Sequence, residues 1–407
     1  MHVAYIHQHF STPRGATGTR SYEMSRQLID AGHRVTLVCG VYDAGDLGDK
    51  LTQRVNELDV DGIRLKCIAE PYGNDMSFVR RLKAFGSFAR TATQVVRQLD
   101  ADLVVASSTP LSVGLPGMKG AKALGVPFVF EVRDLWPAMA QEIGVLKNPA
   151  LIWWARRLER RIYSAADRII ALAPGMKEGI CQTGYPADRV TLIPNGCDLQ
   201  LFRPSSDPLD DPRFGAPDDF RLVFTGAHGM ANGLDAVLDA AVDLKRRGTH
   251  GVRLVLIGRG RLKSQLMLRA HQEGLDDWVT FLDPMPKQQL AEILPRMDVG
   301  MMILRNLPGF YYGTSPNKFF DYLASGLPVL NNYPGWVADM IDEHKCGIAV
   351  PPDDPGALAD AVIHLRDHID DRAEMGRNAR QLGVAKFDRL QLAAQFVRVL
   401  EQAYGQS

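Results

Sequence analysis

One pattern constrains the fold more than any other: short apolar runs alternate with stretches of helical spacing, and the whole alternation occurs twice. The first series runs through Val3 to Ile6, Val35 to Val38, Leu103 to Ala106, Phe128 to Val132, Arg168 to Ala171 and Val190 to Ile193. The second runs through Leu222 to Thr225, Leu254 to Ile257, Val279 to Leu282, Gly300 to Ile303 and Val329 to Asn331. Brief strands separated by helices are the signature of parallel sheets with crossover helices. Between the two series lies Arg203 to Pro217, where Pro204, Pro208, Pro212 and Pro217 stand among serines and aspartates and disfavour regular structure. The expectation is an α/β protein with a Rossmann-like domain over 1–202, a linker over 203–217 and a second Rossmann-like domain over 218–385. A terminal helix over 386–407 could pack back on the first domain, although periodicity alone does not say which half receives it. A chain of 407 residues suits two such domains facing across a cleft better than one core.

Composition narrows the function. Forty-seven basic residues balance 47 acidic ones, which argues against a dedicated nucleic-acid binder. No apolar stretch is long enough to span a membrane, and Val3 to Ile6 is too short for a signal-peptide core, so a cytoplasmic location is expected. The five cysteines, Cys39, Cys67, Cys181, Cys197 and Cys346, form no CxxC pair and read as reduced thiols rather than a disulfide frame or zinc site.

Glycines mark where backbone can approach an anion. After the first strand, His7 to Arg20 contains Gly15 and Gly18 and leads into a helical run, Ser21 to Ala31. The segment lacks GxGxxG, so a phosphate-contacting loop and an ordinary βα turn both remain open. His7 and His9 have no evident third partner for a metal. In the second half, Gly226, His228 and Asn232 lie in a loop with three glycines between a strand and a helix. Gly258-Arg259-Gly260-Arg261-Leu262-Lys263 follows the next strand. Ligands of open α/β sheets sit at that carboxyl edge, where Arg259 and Lys263 suit a diphosphate and Leu282 could touch a base. Solvated cations and a core leucine are the alternatives.

The most specific segment is Gly313 to Val329. Thr314 and Ser315 precede Pro316 and Asn317. Ser315 is expected to cap a helix with Pro316 in its first turn, exposing free N–H groups to a phosphate. Lys318 adds a cation, and Asp321 lies about one turn on, near enough for its carboxylate to accept hydrogen bonds from a ribose.

With its tail Asp321-Tyr322-Leu323-Ala324-Ser325-Gly326-Leu327-Pro328-Val329, this segment resembles the donor site of the family-4 retaining glycosyltransferases of the GT-B fold. The resemblance extends to the first glycine loop, to Pro194-Asn195-Gly196-Cys197-Asp198 with Phe202-Arg203-Pro204, and to the Gly258 loop. It implies two Rossmann-like domains and a nucleotide-sugar donor held mainly by the second half. The chain departs from the family in three ways: Asp321 replaces the second donor-site glutamate, Gly313 stands where the first should be, and the family's Arg and Lys before Leu234 are replaced, with His228 and Asn232 in that neighbourhood. Diphosphate neutralisation then rests on backbone groups, Arg259, Lys263 or Lys318. Ser-Pro-Asn-Lys and Arg133-Asp134-Leu135-Trp136-Pro137 are similar to a subgroup acting in bacterial O-antigen and polysaccharide assembly on N-acetylated amino sugars.

The expected activity is that of a hexosyltransferase. The donor would be a UDP-N-acetylhexosamine or related deoxy amino sugar, and the acceptor a glycan or a polyprenyl-diphosphate-linked one. Family resemblance implies front-face retaining transfer without a protein nucleophile, a metal or a cofactor. Asp134, at the carboxyl end of an apolar strand, is the candidate acceptor-side catalytic group, and Lys318 joins it on the donor side. The rival readings are a 2-epimerase-like isomerase of UDP-N-acetylglucosamine and a catalytically silent nucleotide-sugar-binding subunit. Two basic, aromatic segments, Phe78 to Arg90 with Phe85 and Phe88, and Leu151 to Arg157, are candidates for peripheral contact with the inner membrane face. Each could equally pack its apolar stripe on its own sheet.

Overall fold

The computed structural model describes residues 1–15, 18–42, 47, 50–73 and 76–405. It divides into two compact units, one of Met1–Pro194, Gly313–Ser315 and Leu390–Ser407, the other of Asn195–Tyr312 and Pro316–Arg389.

The first unit is built on β1 (His2–His7), β2 (Arg34–Tyr42), β3 (Val55–Val60), β4 (Ile63–Tyr72), β5 (Leu103–Ser107), β6 (Phe128–Val132), β7 (Arg168–Ala171) and β8 (Val190–Leu192). These pair in the order β3-β4-β2-β1-β5-β6-β7-β8. β1 sits between β2 and β5, with Val3 opposite both Val35 and Leu103, and all six of its residues are buried. A continuous apolar strand covered on both faces is what a central parallel position requires. The β3–β4 hairpin is antiparallel and turns at Asp61 and Gly62, both at positive φ. An Asp-Gly pair is a favoured two-residue hairpin turn. In the same unit Phe396 of the terminal helix Arg389–Tyr404 stacks on Tyr5, with ring centroids 5.9 Å apart. Cys39 and Cys67 are register partners on β2 and β4, and their thiols lie 3.3 Å apart.

The second unit carries β9 (Phe220–Thr225), β10 (Val252–Ile257), β11 (Val279–Leu282), β12 (Val299–Met302), β13 (Val329–Asn331) and β14 (Gly347–Ala349), ordered β11-β10-β9-β12-β13-β14. All the pairings are parallel, so every carboxyl end lies along one edge. Leu222, Phe224, Leu254 and Leu256 from the sheet pack with Leu234, Val237, Leu238 and Leu358 from the helices into one core.

The helix Asn317–Ser325 is fixed to this sheet through Tyr322. Its buried hydroxyl donates to the Val223 carbonyl and accepts from the Thr225 N–H, both at 3.1 Å. The ring fits because Gly300 on β12 has no side chain: a Cβ there would run into the tyrosine ring. Gly300→Ala should destabilise the second unit by about 1–3 kcal/mol through overpacking. A denaturant titration reporting an unchanged midpoint would refute this account of the close packing.

Candidate functional site

In the second unit the carboxyl edge of the sheet gathers the two glycine loops. The Gly226 N–H donates to the Ile257 carbonyl at 2.9 Å, and the His228 N–H to the Arg259 carbonyl at 2.9 Å. Glycine is required at this meeting because a Cβ at Gly258 would strike the Gly226 carbonyl and one at Gly260 the His228 carbonyl. Asn232 Nδ2 closes the first loop by donating to the Ala227 carbonyl at 2.6 Å.

Lys318, in the first turn of the helix Asn317–Ser325, enters the same region. Its Nζ lies 3.9 Å from the centroid of the Phe224 ring and 3.1 Å from where a Cβ of Gly226 would stand. Among the described residues it has no ion-pair partner. The residue as a whole is half-buried, and desolvation of its amine, the sole cause, lowers its pKa to about 7. His228 is fully buried, and neither ring nitrogen has a hydrogen-bond partner. Burial first, then Lys263 and Lys318, hold its pKa down to about 4, so the ring is neutral at physiological pH and adds no positive charge. Orphaned buried polar atoms of this kind are rare and concentrate where function needs them.

Other predicted residues fall elsewhere. Lys263 Nζ is already engaged by the Gly258 and Leu282 carbonyls at 3.0 and 2.9 Å and by Asp283 at 2.7 Å, so it braces the Gly258 loop to the end of β11. Arg259 is exposed and Leu282 is half-buried at the same edge. Ser315 does not cap the helix: Pro316 occupies the cap position, one residue later than the sequence suggests, and makes no side-chain cap bond. Thr314 and Ser315 are half-buried in the turn before it. Asp321, three residues on from Lys318 in the same helix, has different neighbours. Burial pushes its carboxyl up to about 6, against the pull of Lys287 and with Asp198 and Arg389 also near. Asp198, from the Asn195-Gly196-Cys197-Asp198 stretch, is held by Arg389 at 2.8 Å and Lys287 at 3.6 Å. Sequence reading did not connect these groups to Asp321, because their partners lie far along the chain.

In the first unit the carboxyl ends of β1, β5 and β6 carry a polar cluster. Glu131 is completely buried and pairs with Arg20 at 2.8 Å. Burial works to raise its carboxyl, but Arg20, Arg133 and Ser107 outweigh it and hold it below the usual range. Arg20 also donates to the Pro194 and Ile193 carbonyls at 2.8 and 2.9 Å. Nothing in the sequence around Arg20 signalled this buried role. His7 links Ser21 at 2.7 Å to Arg133 at 3.0 Å. Asp134 accepts a 2.7 Å hydrogen bond from Thr109, and burial raises its carboxyl against the pull of Thr109 and Arg133. Gly15 closes a turn onto the Thr12 carbonyl at 2.9 Å, and Gly18 lies just before the helix Arg20–Asp30. Ala16 and Thr17 lie outside the described residues.

Two parallel α/β units, each with a glycine-bearing carboxyl edge, define the class: the architecture is that of the GT-B glycosyltransferases. Residues 15–196 match the family described as Glycosyl transferase 4-like domain, and residues 219–368 the family described as Glycosyl transferases group 1. The two matches together cover most of the chain, which therefore belongs to the family-4 type of glycosyltransferases. The GDP-mannose-dependent alpha-mannosyltransferase of Mycobacterium tuberculosis (strain CDC 1551 / Oshkosh) is 29% identical over 279 residues, which is 67% of this chain and 66% of that protein. The match thus spans just under two thirds of that relative's length. Sucrose-phosphate synthase from Thermosynechococcus elongatus has the same fold at a TM-score of 0.78, with 18% identity over 100% of both chains. Anabaena HepE in complex with UDP-glucose gives 0.68 with 16% identity, over 99% of this chain and 100% of that one.

The burial of Lys318 has a consequence measurable without ligand. Between its folded value of about 7 and the 10.5 of an exposed lysine, the unfolded chain binds one more proton than the folded one, so stability rises with pH across that window. Lys318→Met should lack this component. If the difference in unfolding free energy between wild type and variant does not change from pH 7 to pH 10, the lysine is not buried as described.

Proposed function

We propose that this protein transfers a sugar from a nucleotide-sugar donor to a glycan or lipid-linked acceptor, with retention of anomeric configuration. The observation that carries the reading is Lys318, a cation with no acid partner among the described residues, placed beside Gly226 at the start of a helix. A diphosphate arriving there meets the first-turn N–H groups of Asn317 and Lys318 and restores the ammonium charge that burial suppresses. Gly226 and Gly258 keep side chains out of its way, and Asp321 accepts from the ribose hydroxyls. Arg259 supplies a second, solvent-exposed cation.

In the reaction, the acceptor oxygen forms the new bond to the anomeric carbon as the bond from that carbon to the diphosphate oxygen breaks. The acceptor proton passes to the departing phosphate oxygen, so no protein nucleophile or metal is required. The chain contributes positioning and stabilisation of the leaving diphosphate. Asp134 orients the acceptor hydroxyl, held for that purpose by Thr109. The Ser-Pro-Asn-Lys and Arg-Asp-Leu-Trp-Pro strings support a UDP-linked N-acetylated amino sugar as donor, within bacterial surface polysaccharide assembly.

The names of the relatives put guanine as well as uracil nucleotides in the test. A thermal-shift screen of UDP, GDP, ADP and their sugar conjugates should show a selective rise, since a ligand at a hundredfold its dissociation constant adds about 2.7 kcal/mol. No rise with any nucleotide refutes the donor site. Asp321→Ala should weaken that nucleotide about tenfold, as expected for losing a charged hydrogen-bond acceptor. Asp134→Asn should keep the nucleotide shift while lowering turnover about 10²- to 10⁴-fold. Full turnover in this variant removes Asp134 from the mechanism. Epimerised donor formed without acceptor would identify an isomerase, and tight nucleotide binding without donor consumption a silent subunit.

A further inference from the structure

Two segments of the first unit combine aromatic residues with cations, and the structure separates them. On the helix Phe78–Val96, Phe88 is fully buried and Phe85 is half-buried and stacks on Tyr72 with centroids 5.3 Å apart, so both rings have a neighbour within the unit. The side chain of Phe78 lies outside what the structure describes. The helix Pro149–Ala165 is the opposite case. Its inner face, with Glu159, Ile162 and Tyr163, is buried, yet Trp153 and Trp154 remain 64% and 57% exposed. Leu151, and Val145 just before the helix, are exposed too.

The outer face is also strongly cationic. Arg156, Arg157, Arg160 and Arg161 are all exposed, while the helix's only acid, Glu159, is turned inward and bonded by the Tyr163 hydroxyl at 3.3 Å. At 100° per residue, Trp153, Trp154 and the four arginines share somewhat less than half the helix circumference. The Arg157 guanidinium lies over the Trp153 ring, 5.8 Å from its centroid. In a chain whose net charge is zero, this is a local concentration of positive charge with tryptophan at its tip.

We infer that the outer face of the helix Pro149–Ala165 docks on an anionic lipid bilayer, with Trp153 and Trp154 entering the headgroup region and the arginines meeting lipid phosphates. An indole is amphipathic and settles at the boundary between water and acyl chains, and guanidinium groups beside it match anionic headgroups. A second copy of the chain fits the face badly, because a two-fold contact would set four arginines against four. The inference does not depend on the donor assignment: vesicle binding by a protein that never consumes donor would leave it standing.

The experiment is co-sedimentation of the full chain with vesicles of phosphatidylcholine, with and without phosphatidylglycerol, at low and physiological salt. The protein should partition onto the anionic vesicles, hardly onto the neutral ones, and more weakly as salt rises. Trp153→Ser with Trp154→Ser, and separately Arg157→Gln with Arg160→Gln and Arg161→Gln, should each lower partitioning at least about tenfold. Unchanged thermal unfolding certifies that a variant is folded, and should the tryptophan pair fail that test, the arginine set decides. Absence of binding to anionic vesicles, equal binding by the folded variants, or a concentration-dependent dimer abolished by the tryptophan substitutions would each overturn the inference.

Discussion

A cation withdrawn from water with no acid beside it has two ways to lower its free energy: it loses its proton, or it meets an incoming negative charge. Lys318 is in that position, and much of the second unit is arranged to keep it there. Phe224 offers a ring face in place of solvent, and Gly226 leaves the space that the amine occupies. Tyr322, one turn further along the helix, ties that helix to the end of β9, so the backbone that carries the lysine is anchored to the sheet through a buried hydroxyl with two backbone partners. Gly300 allows the tyrosine ring to lie against β12. Each of these features would be a modest packing detail alone. Together they hold one amine whose charge an incoming anion restores.

The first unit treats buried charge differently. Glu131 is completely buried, but Arg20 meets it directly and also donates to two carbonyls. A buried pair bonded on several sides fixes geometry: it joins the start of the first helix to β6 and to the chain that follows β8. Asp134, three residues beyond Glu131, has among the described residues only the Thr109 hydroxyl as donor to its carboxylate, and that carboxyl is raised by burial. The contrast separates a structural carboxylate from one with capacity left for another hydroxyl, which is why Asp134 and not Glu131 is assigned to the acceptor.

The strands were readable wherever burial on both faces forced a run of apolar residues. Phe128–Val132, Arg168–Ala171 and Val329–Asn331 have the bounds the sequence suggests, and so does the half-buried edge strand Val279–Leu282. The β3–β4 hairpin escaped because its edge strand, Val55–Val60, sets exposed Glu57 and Asp59 among half-buried Val55, Leu58 and Val60, although Asp61-Gly62 was a visible turn signal. Near the site, the glycines were legible because close backbone approach admits few substitutes. The cations were not. Whether Lys263 meets a ligand or braces a loop depends on Asp283 and on two carbonyls that come near only when β10 and β11 pair. The neutral state of His228 likewise depends on burial that no local pattern reveals.

The two basic aromatic helices show the same limit from the other side. Both have cations on one face and apolar residues at helical spacing, and periodicity assigns them equally to a sheet or to a membrane surface. What separates them is which aromatic rings find a neighbour. Phe88 has a place in the core and Phe85 has Tyr72, whereas Ile162 and Tyr163 fill the inner face of Pro149–Ala165 and leave its tryptophans outside. Leaving two indoles in water costs free energy that a soluble surface has no reason to bear, and the arginines around them raise the cost of burying them against most proteins. An anionic bilayer removes both difficulties at once, because the same surface that desolvates the rings neutralises the charge.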